Sequence, residues 1–332
     1  MLQILKDIKR YKMTNELYIL LEGYKYLYII PNNIETLSCW HNKLKSLKQR
    51  PSLCQFLSGK FKSCKKLPDS ITSLNISNNK FTYIDKRELP CNLIILSCEY
   101  NLLNQLPILP NSLEELNCKY NILTKLATKL PNSLIQLNCS YNKLKYLPPL
   151  PPTLKKLDCS NNNLIELPPF PQTLIYLDCS NNNLIELPYN LSETSLYTIK
   201  CRHNNLNSLP PLPKQLSSLS IEDNVITQIP YLPNTLRSLC IGHNQVILLE
   251  KFNYPNLIKI WFNTPNYLQL ISYINSCNRE MIKAQMDKIN KNNILWELYM
   301  QRMMHPSRFT PPLLNNDTLD IEEYIKAYID TL

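Results

Sequence analysis

Glycine is almost absent: the chain has 3 in 332 residues, against 25 prolines. Folds that cradle phosphates or close tight barrels place glycine where the backbone must turn sharply. A Rossmann fold, a P-loop or a β-barrel is therefore a poor reading, and no cofactor is expected. Long apolar runs are missing too. The most apolar stretch, Leu17 to Ile30, is interrupted by Glu22, Gly23 and Lys25, too short and too charged to span a bilayer. The first residues, MLQILKDIKRYK, lack the apolar core of a signal peptide. We expect a chain that is neither membrane-embedded nor secreted. Acidic residues are in deficit, with a net charge of +10. From Ser272 onward there are 7 Lys+Arg against 8 Asp+Glu, so the excess lies in residues 1–271 and is spread thinly.

What the chain has is internal repetition. Leu154-KKLDCSNNNLIELPPFPQT is followed by Leu174-IYLDCSNNNLIELP, starting twenty residues later. The unit reads L-x-x-L-x-C-x-x-N-x-L-x-x-L-P-x-x-P. Clear units begin at Ile34, Ile71, Leu93, Leu113, Leu134, Leu154, Leu174, Leu196, Leu216, Leu236 and Leu257. Two degenerate ones fit the same spacing: Leu17-Leu20-Leu27-Ile30-Pro31, which lacks the Asn, and Cys54-Leu57-Cys64-Leu67-Pro68, with Lys62 in its place. The segment L-x-x-L-x-C predicts a short strand, alternate residues facing inward. One unit cannot bury its own apolar face, so units must stack. Proline pairs such as Pro148/Pro151, Pro168/Pro171 and Pro210/Pro213 predict extended rather than helical return segments.

This pattern resembles the leucine-rich-repeat family, L-x-x-L-x-L-x-x-N/C-x-L. The short period and L-P-x-L-P joint resemble the subgroup found in bacterial effectors. The Asn/Ile/Lys-rich style, with Cys at the third apolar position, resembles leucine-rich-repeat proteins of giant DNA viruses of the Mimivirus type. The resemblance implies an α/β-type repeat solenoid: a horseshoe with a parallel concave sheet, extended Pro-rich convex returns and a helical C-terminal cap. The expected organisation is an N-terminal cap segment at 1–16, about thirteen repeats over 17–270, and a helical cap or docking segment at 271–332. That last segment carries Ile282, Met286 and Ile289, then Ile321, Tyr324, Ile325, Tyr328, Ile329 and Leu332, at helical spacing.

Several columns recur. The Asn column includes Asn42, Asn79, Asn101, Asn121, Asn142, Asn162, Asn182, Asn204, Asn224 and Asn244. An amide donates and accepts at once, so these residues are expected to bond the backbone of their own and the next repeat. Cys39, Cys98, Cys118, Cys139, Cys159, Cys179 and Cys201 fall at an inward position and should be inert core thiols. A parallel ladder does not converge into tetrahedral metal ligation, so no metal is expected. Oxidising conditions would threaten such a stack of thiols, which implies a reducing, intracellular compartment, the host cytoplasm if the chain is viral. His41, His203 and His243 precede the Asn in repeats that are not neighbours and suggest neither a metal site nor a Ser/His/Asp triad.

Tyr100, Tyr120 and Tyr141 share that column in three consecutive repeats, with Tyr176 and Tyr197 beginning the next ones nearby. They read either as recognition anchors or as a stack stabilising neighbouring repeats. Glu99 lies beside Lys119, and Arg202 beside Glu222. Lys155, Lys156, Lys200 and Arg202 form a basic cluster interrupted by Asp158 and Asp178. A nucleic-acid surface calls for an unbroken basic stripe, so such partners are disfavoured.

Enzyme readings find no support. The effector subgroup sometimes carries a ubiquitin-ligase domain with a catalytic Cys beside an Asp, but Cys277 in NSCNRE lacks that context. Residues 1–16 are too few for the F-box that precedes the repeats in some relatives. The expected function is a non-catalytic, monomeric protein-binding scaffold for host or viral proteins. The anchors would be Tyr100, Tyr120, Tyr141, Tyr176 and Tyr197, and Lys156, Lys200 and Arg202 would steer an acidic partner. Two alternatives stand beside it: an adaptor to ubiquitin machinery through the C-terminal helices, and a nucleic-acid-binding surface.

Overall fold

The computed structural model describes residues 32–45, 67–85 and 88–244, with Ile30, Leu47 and four short strands outside those ranges. The 271–332 segment, with its expected helices, lies outside the described residues, as does Cys277. In chain order the strands are β1 (Glu16–Tyr18), β2 (Leu27–Tyr28), β3 (Thr36–Ser38), β4 (Gln49–Arg50), β5 (Ser73–Asn75), β6 (Ile95–Ser97) and β7 (Glu115–Asn117). Then follow β8 (Gln136–Asn138), β9 (Lys156–Asp158), β10 (Tyr176–Asp178), β11 (Thr198–Lys200), β12 (Ser218–Ser220), β13 (Ser238–Cys240) and β14 (Lys259–Trp261). Twelve of these form one parallel sheet in the order β1-β3-β5-β6-β7-β8-β9-β10-β11-β12-β13-β14, and β2 pairs with β4. The fold is a parallel-strand solenoid of the leucine-rich-repeat type.

Each of the eleven clear units places its strand at its third to fifth residues. The central residue points inward. Leu96, Leu116, Leu137, Leu157, Leu177, Ile199 and Leu219 are buried and lie opposite one another in register. The first Leu, the Cys column and the later leucines fill the remaining interior as one continuous core. Among the described residues the Pro-rich returns are extended, with a single 3-10 turn at Tyr189–Glu193 that buries Leu191. Proline also closes the corner back into the sheet. The carbonyls of Pro110, Pro131, Pro151 and Pro171 accept from the first Leu N–H of the next unit, at 3.1–3.2 Å.

The first degenerate unit departs from the expected register. Leu17 lies opposite Leu37, the place the spacing assigns to Leu20. β3 pairs directly with β5, Leu37 opposite Leu74; Cys54, Leu57 and Cys64 of the second degenerate unit lie outside the described residues. A regular unit is pinned at its corner by the column Asn, which the Leu17 unit lacks. Asn79 instead bonds across to the Ile34 unit, accepting from the Leu44 N–H at 3.0 Å and donating to the Cys39 carbonyl at 2.9 Å.

Candidate binding surface

The corner after each strand organises the surface. The Asn amide enters the interior, and its nitrogen donates to three carbonyls. For Asn162 these are Cys159 and Ser160 of its own turn and Cys139 of the turn before, at 3.0–3.2 Å. Its oxygen accepts from the Leu144 N–H at 3.0 Å. Asn101, Asn121, Asn142, Asn182 and Asn204 repeat this arrangement. The bridge therefore runs back to the preceding repeat, not forward to the next. A Ser/Thr column not singled out in the sequence does similar work. Ser112, Ser133, Thr153 and Thr173, just before the first Leu, donate to carbonyls one turn back at 2.6–2.9 Å.

The residue before each Asn adopts a left-handed backbone. His41, Asn78, Tyr100, Tyr120, Tyr141, Asn161, Asn181, His203, Asp223 and His243 all have φ between 49° and 59°. That region favours Gly, and after it Asn and Asp, because a Cβ crowds the following carbonyl. With so little glycine, this chain uses Asn or Asp at four of the ten places. Tyrosine at three consecutive places works against local preference. The rings stack in compensation: Tyr100 on Tyr120 at 4.3 Å and 11°, and Tyr120 on Tyr141 at 4.1 Å and 13°. The Tyr120 hydroxyl beside it raises the Tyr141 phenol above its ordinary range. The stack walls an open groove of about 720 Å³ at the strand-to-return corner, whose lining includes Lys80, Leu102 and Asn161.

The eight expected partner residues divide between the groove and the sheet beside it. Tyr100, Tyr120 and Tyr141 line this groove; Tyr176, Tyr197, Lys156, Lys200 and Arg202 do not. Tyr176 and Lys156 sit opposite each other on the sheet, and Tyr197 is exposed just before β11. The Lys200 ammonium lies 3.8 Å from Asp178 and 5.4 Å over the Tyr176 ring. Partial burial pulls its pKa down, but Tyr176, Asp178 and Asp158 outweigh that and hold it above the ordinary lysine value. Burial holds the Asp158 carboxyl above its usual range, partly offset by donors from Ser160. Lys200 is thus held charged beside Asp178 on the sheet face. Lys119 and Glu99 pair at 3.1 Å. Arg202 turns to the His203 ring at 3.0 Å rather than to Glu222, which accepts from Ser220.

One constellation escaped the sequence reading. Asp223 lies between His203 and His243 in consecutive turns, with carboxylate–imidazole distances of 3.2 and 2.7 Å. Asp223 in the shared column was the available signal. No group of His, Cys, Asp or Glu among the described residues is arranged to hold a metal ion.

The seven column cysteines are buried free thiols, and Cys91 is an exposed one. Burial pushes the Cys39 and Cys98 thiols up to about 12, aided at Cys98 by the Glu99 charge. Cys118, Cys159 and Cys179 are driven well above the ordinary thiol range by the same cause. Since only the thiolate reacts, the exposed Cys91 is expected to alkylate before the column cysteines, which should label only on unfolding. Intact mass of the folded protein should show neither a disulfide deficit nor bound zinc. Ready labelling of Cys139 or Cys159 in the native state would contradict the packing.

The stacked parallel turns and the Asn-pinned corner are those of the leucine-rich-repeat fold. Among solved structures, the chain is similar to YopM from Yersinia enterocolitica WA-314, at 30% identity and a TM-score of 0.62, covering 78% of this chain and 58% of that one. It is also similar in fold to the functional domain of InlJ from Listeria monocytogenes, described as including a cysteine ladder, at 22% identity and a TM-score of 0.55 over 77% of this chain and 59% of that one. A third likeness in fold is to the FLRT2 repeat domain from an octameric complex with latrophilin 3 and Unc5D, at 20% identity and a TM-score of 0.58, covering 79% and 87%. This chain spans somewhat under three fifths of the YopM and InlJ chains. No family model and no curated protein matches it.

Proposed function

We propose that the chain is a non-catalytic protein-binding scaffold, acting on host or viral proteins in a reducing, intracellular setting. The observation that carries this reading is the tyrosine stack. Three aromatic residues occupy left-handed positions that the same chain fills elsewhere with Asn, as at Asn161 and Asn181. An unfavourable backbone state costs about 1–3 kcal/mol per residue and persists where something else requires it. Ring stacking returns only about 0.5–1.5 kcal/mol per pair. What remains is an aromatic wall with Tyr100 and Tyr141 exposed, a typical anchor for a protein partner. The likeness in fold to a repeat domain solved with protein partners agrees with this reading. The seven buried, unpaired thiols support a reducing compartment. No helix among the described residues is long and apolar enough to cross a membrane.

Proximity labelling in the native cell, run with the parent chain and with Tyr120→Asn, tests the proposal. Asn suits the left-handed position, so the thermal midpoint should hold or rise. A partner recovered by the parent should bind the variant about tenfold or more weakly. Equal binding by the variant would remove the groove as the site.

A further inference from the structure

The flank beside the tyrosine stack carries an ordered pattern of charge. The residue following the column Asn runs, turn by turn, Lys43, Lys80, Leu102, Ile122, Lys143. These residues form one row along the corner. The backbone N–H groups of Lys80, Leu102, Ile122 and Lys143 each donate to a carbonyl of the preceding turn, at 2.8–3.0 Å. All five side chains are exposed, Leu102 by 50% and Ile122 by 40%. Lys45, Lys125 and Lys145 lie two or three residues further along the same turns, also exposed. Among the described residues none of these lysines enters an ion pair, and no Asp or Glu occupies the equivalent four-residue stretch in any of the five turns. In the next two turns the pattern inverts: Asn163 and Asn183 replace lysine, and Glu166 and Glu186 appear. The sheet face is self-paired; this strip is not.

We propose that the flank from Lys43 to Lys143 receives an extended acidic peptide segment of a partner protein, with apolar side chains seated on Leu102, Ile122 and the tyrosine edges between carboxylates that meet Lys80 and Lys143. This rests on the reading of the tyrosine groove as the binding surface and adds the chemistry of the occupant. The geometry sets a spacing. Lys80 and Lys143 stand three turns apart, about 14 Å at a parallel-strand separation of about 4.8 Å. An extended chain rises about 3.3 Å per residue, so the two carboxylates fall about four residues apart. A single-stranded nucleic acid fits less well, because bases stack on open ring faces. Here the ring faces are taken up by the tyrosines themselves, and methyl groups interrupt the basic row.

A random-peptide display library selected on the full chain tests this. Enriched peptides should carry two acidic residues flanking apolar ones at that spacing. The best synthetic peptide should lose about tenfold or more in affinity on Lys80→Glu and on Lys143→Glu. Replacing the matching peptide carboxylate by lysine should restore binding to the reversed variant. If a reversal lowers the thermal midpoint, Lys80→Ala and Lys143→Ala serve instead. Peptides weakened by Tyr120→Asn but indifferent to both lysine changes would overturn the acidic occupant and leave the groove standing. Indifference to all three changes, or no selectable peptide, would overturn both. A short oligothymidylate that displaces the peptide and binds more tightly would overturn the assignment to a protein segment.

Discussion

Leu157→Asp is expected to cost more than about 4 kcal/mol and to abolish cooperative unfolding of the central turns at neutral pH. Leu157 is fully buried at the centre of β9, between Leu137 and Leu177 on the neighbouring strands. Truncation alone, as in Leu157→Ala, forfeits about 2–5 kcal/mol through lost burial and the cavity left behind. The aspartate adds a charge with no partner in an interior made of Leu, Ile and Cys. The pH dependence follows from burial, which raises the folded-state pKa of the new carboxyl above its unfolded value of about 3.9. The deficit relative to the parent is then smallest below that value and grows as pH rises and the group ionises. Thermal melts of parent, Leu157→Ala and Leu157→Asp across acidic to neutral pH check both the order and the trend. A Leu157→Asp melt matching the parent would mean that the inward register of the sheet is misassigned.

That register was legible because its signal is redundant. Two Leu or Ile residues and a third apolar residue, Cys in seven units, recur at fixed offsets through the eleven units, so one misplaced residue cannot shift the alignment. Where the redundancy thins, the sequence misleads. The Leu17 unit keeps apolar spacing but lacks the Asn, and spacing alone admits more than one alignment. Strand pairing then follows the residues that can reach a corner amide, and Asn79 reaches directly to the Ile34 unit. The Ser/Thr column was equally regular, as in Pro-Asn-Ser-Leu and Pro-Gln-Thr-Leu. It drew no attention because hydroxyls before a strand look like ordinary turn residues until their acceptors, one turn away, are known.

The candidate site was only partly legible, for a different reason. Tyr100, Tyr120 and Tyr141 share a column, and a column in a parallel solenoid is a stack. Tyr176 and Tyr197 are close to them in sequence but occupy the third and second places of their units, in other columns. The left-handed backbone was hidden because that position usually announces itself with Gly. Here His, Asn, Asp and Tyr fill it, and the recurring Asn-Asn of Asn161-Asn162 and Asn181-Asn182 was the trace it left. The flank lysines were passed over because net charge was weighed across whole turns. Only the structure separates the sheet face, where Lys119 and Lys200 find carboxylates, from the corner, where Lys80 and Lys143 do not.

Asn162→Ala is expected to destabilise the chain by about 3 kcal/mol or more, unusual for a residue outside the apolar core. The reason lies in how its four hydrogen bonds are shared. The Cys139 and Cys159 carbonyls each take a second amide, from Asn142 and Asn182, and the Ser160 carbonyl also accepts from the Tyr141 N–H. These acceptors survive the substitution with one partner each. The Leu144 N–H has no alternative acceptor among the bonds of its corner. An orphaned buried donor costs about 1–3 kcal/mol, and the three surrendered bonds add about 0.5–1.5 kcal/mol apiece. Asn162→Asp is expected to be worse near neutral pH, because a carboxylate can satisfy Leu144 but turns charge toward three carbonyls. Its folded-state pKa must then rise. Its deficit relative to the parent should shrink as pH falls toward the unfolded value and the protonated acid regains one donor. Hydrogen exchange resolves the site directly: the Leu144 amide should lose protection in Asn162→Ala and retain it in Asn162→Asp under conditions where both remain folded. Because each turn contacts only its neighbours, the loss should concentrate in the turns beginning at Leu134, Leu154 and Leu174 and leave those beginning at Leu216 and Leu236 less affected. Uniform loss of protection across all turns would mean that the solenoid unfolds as one unit and that the corner amide is not a local clamp.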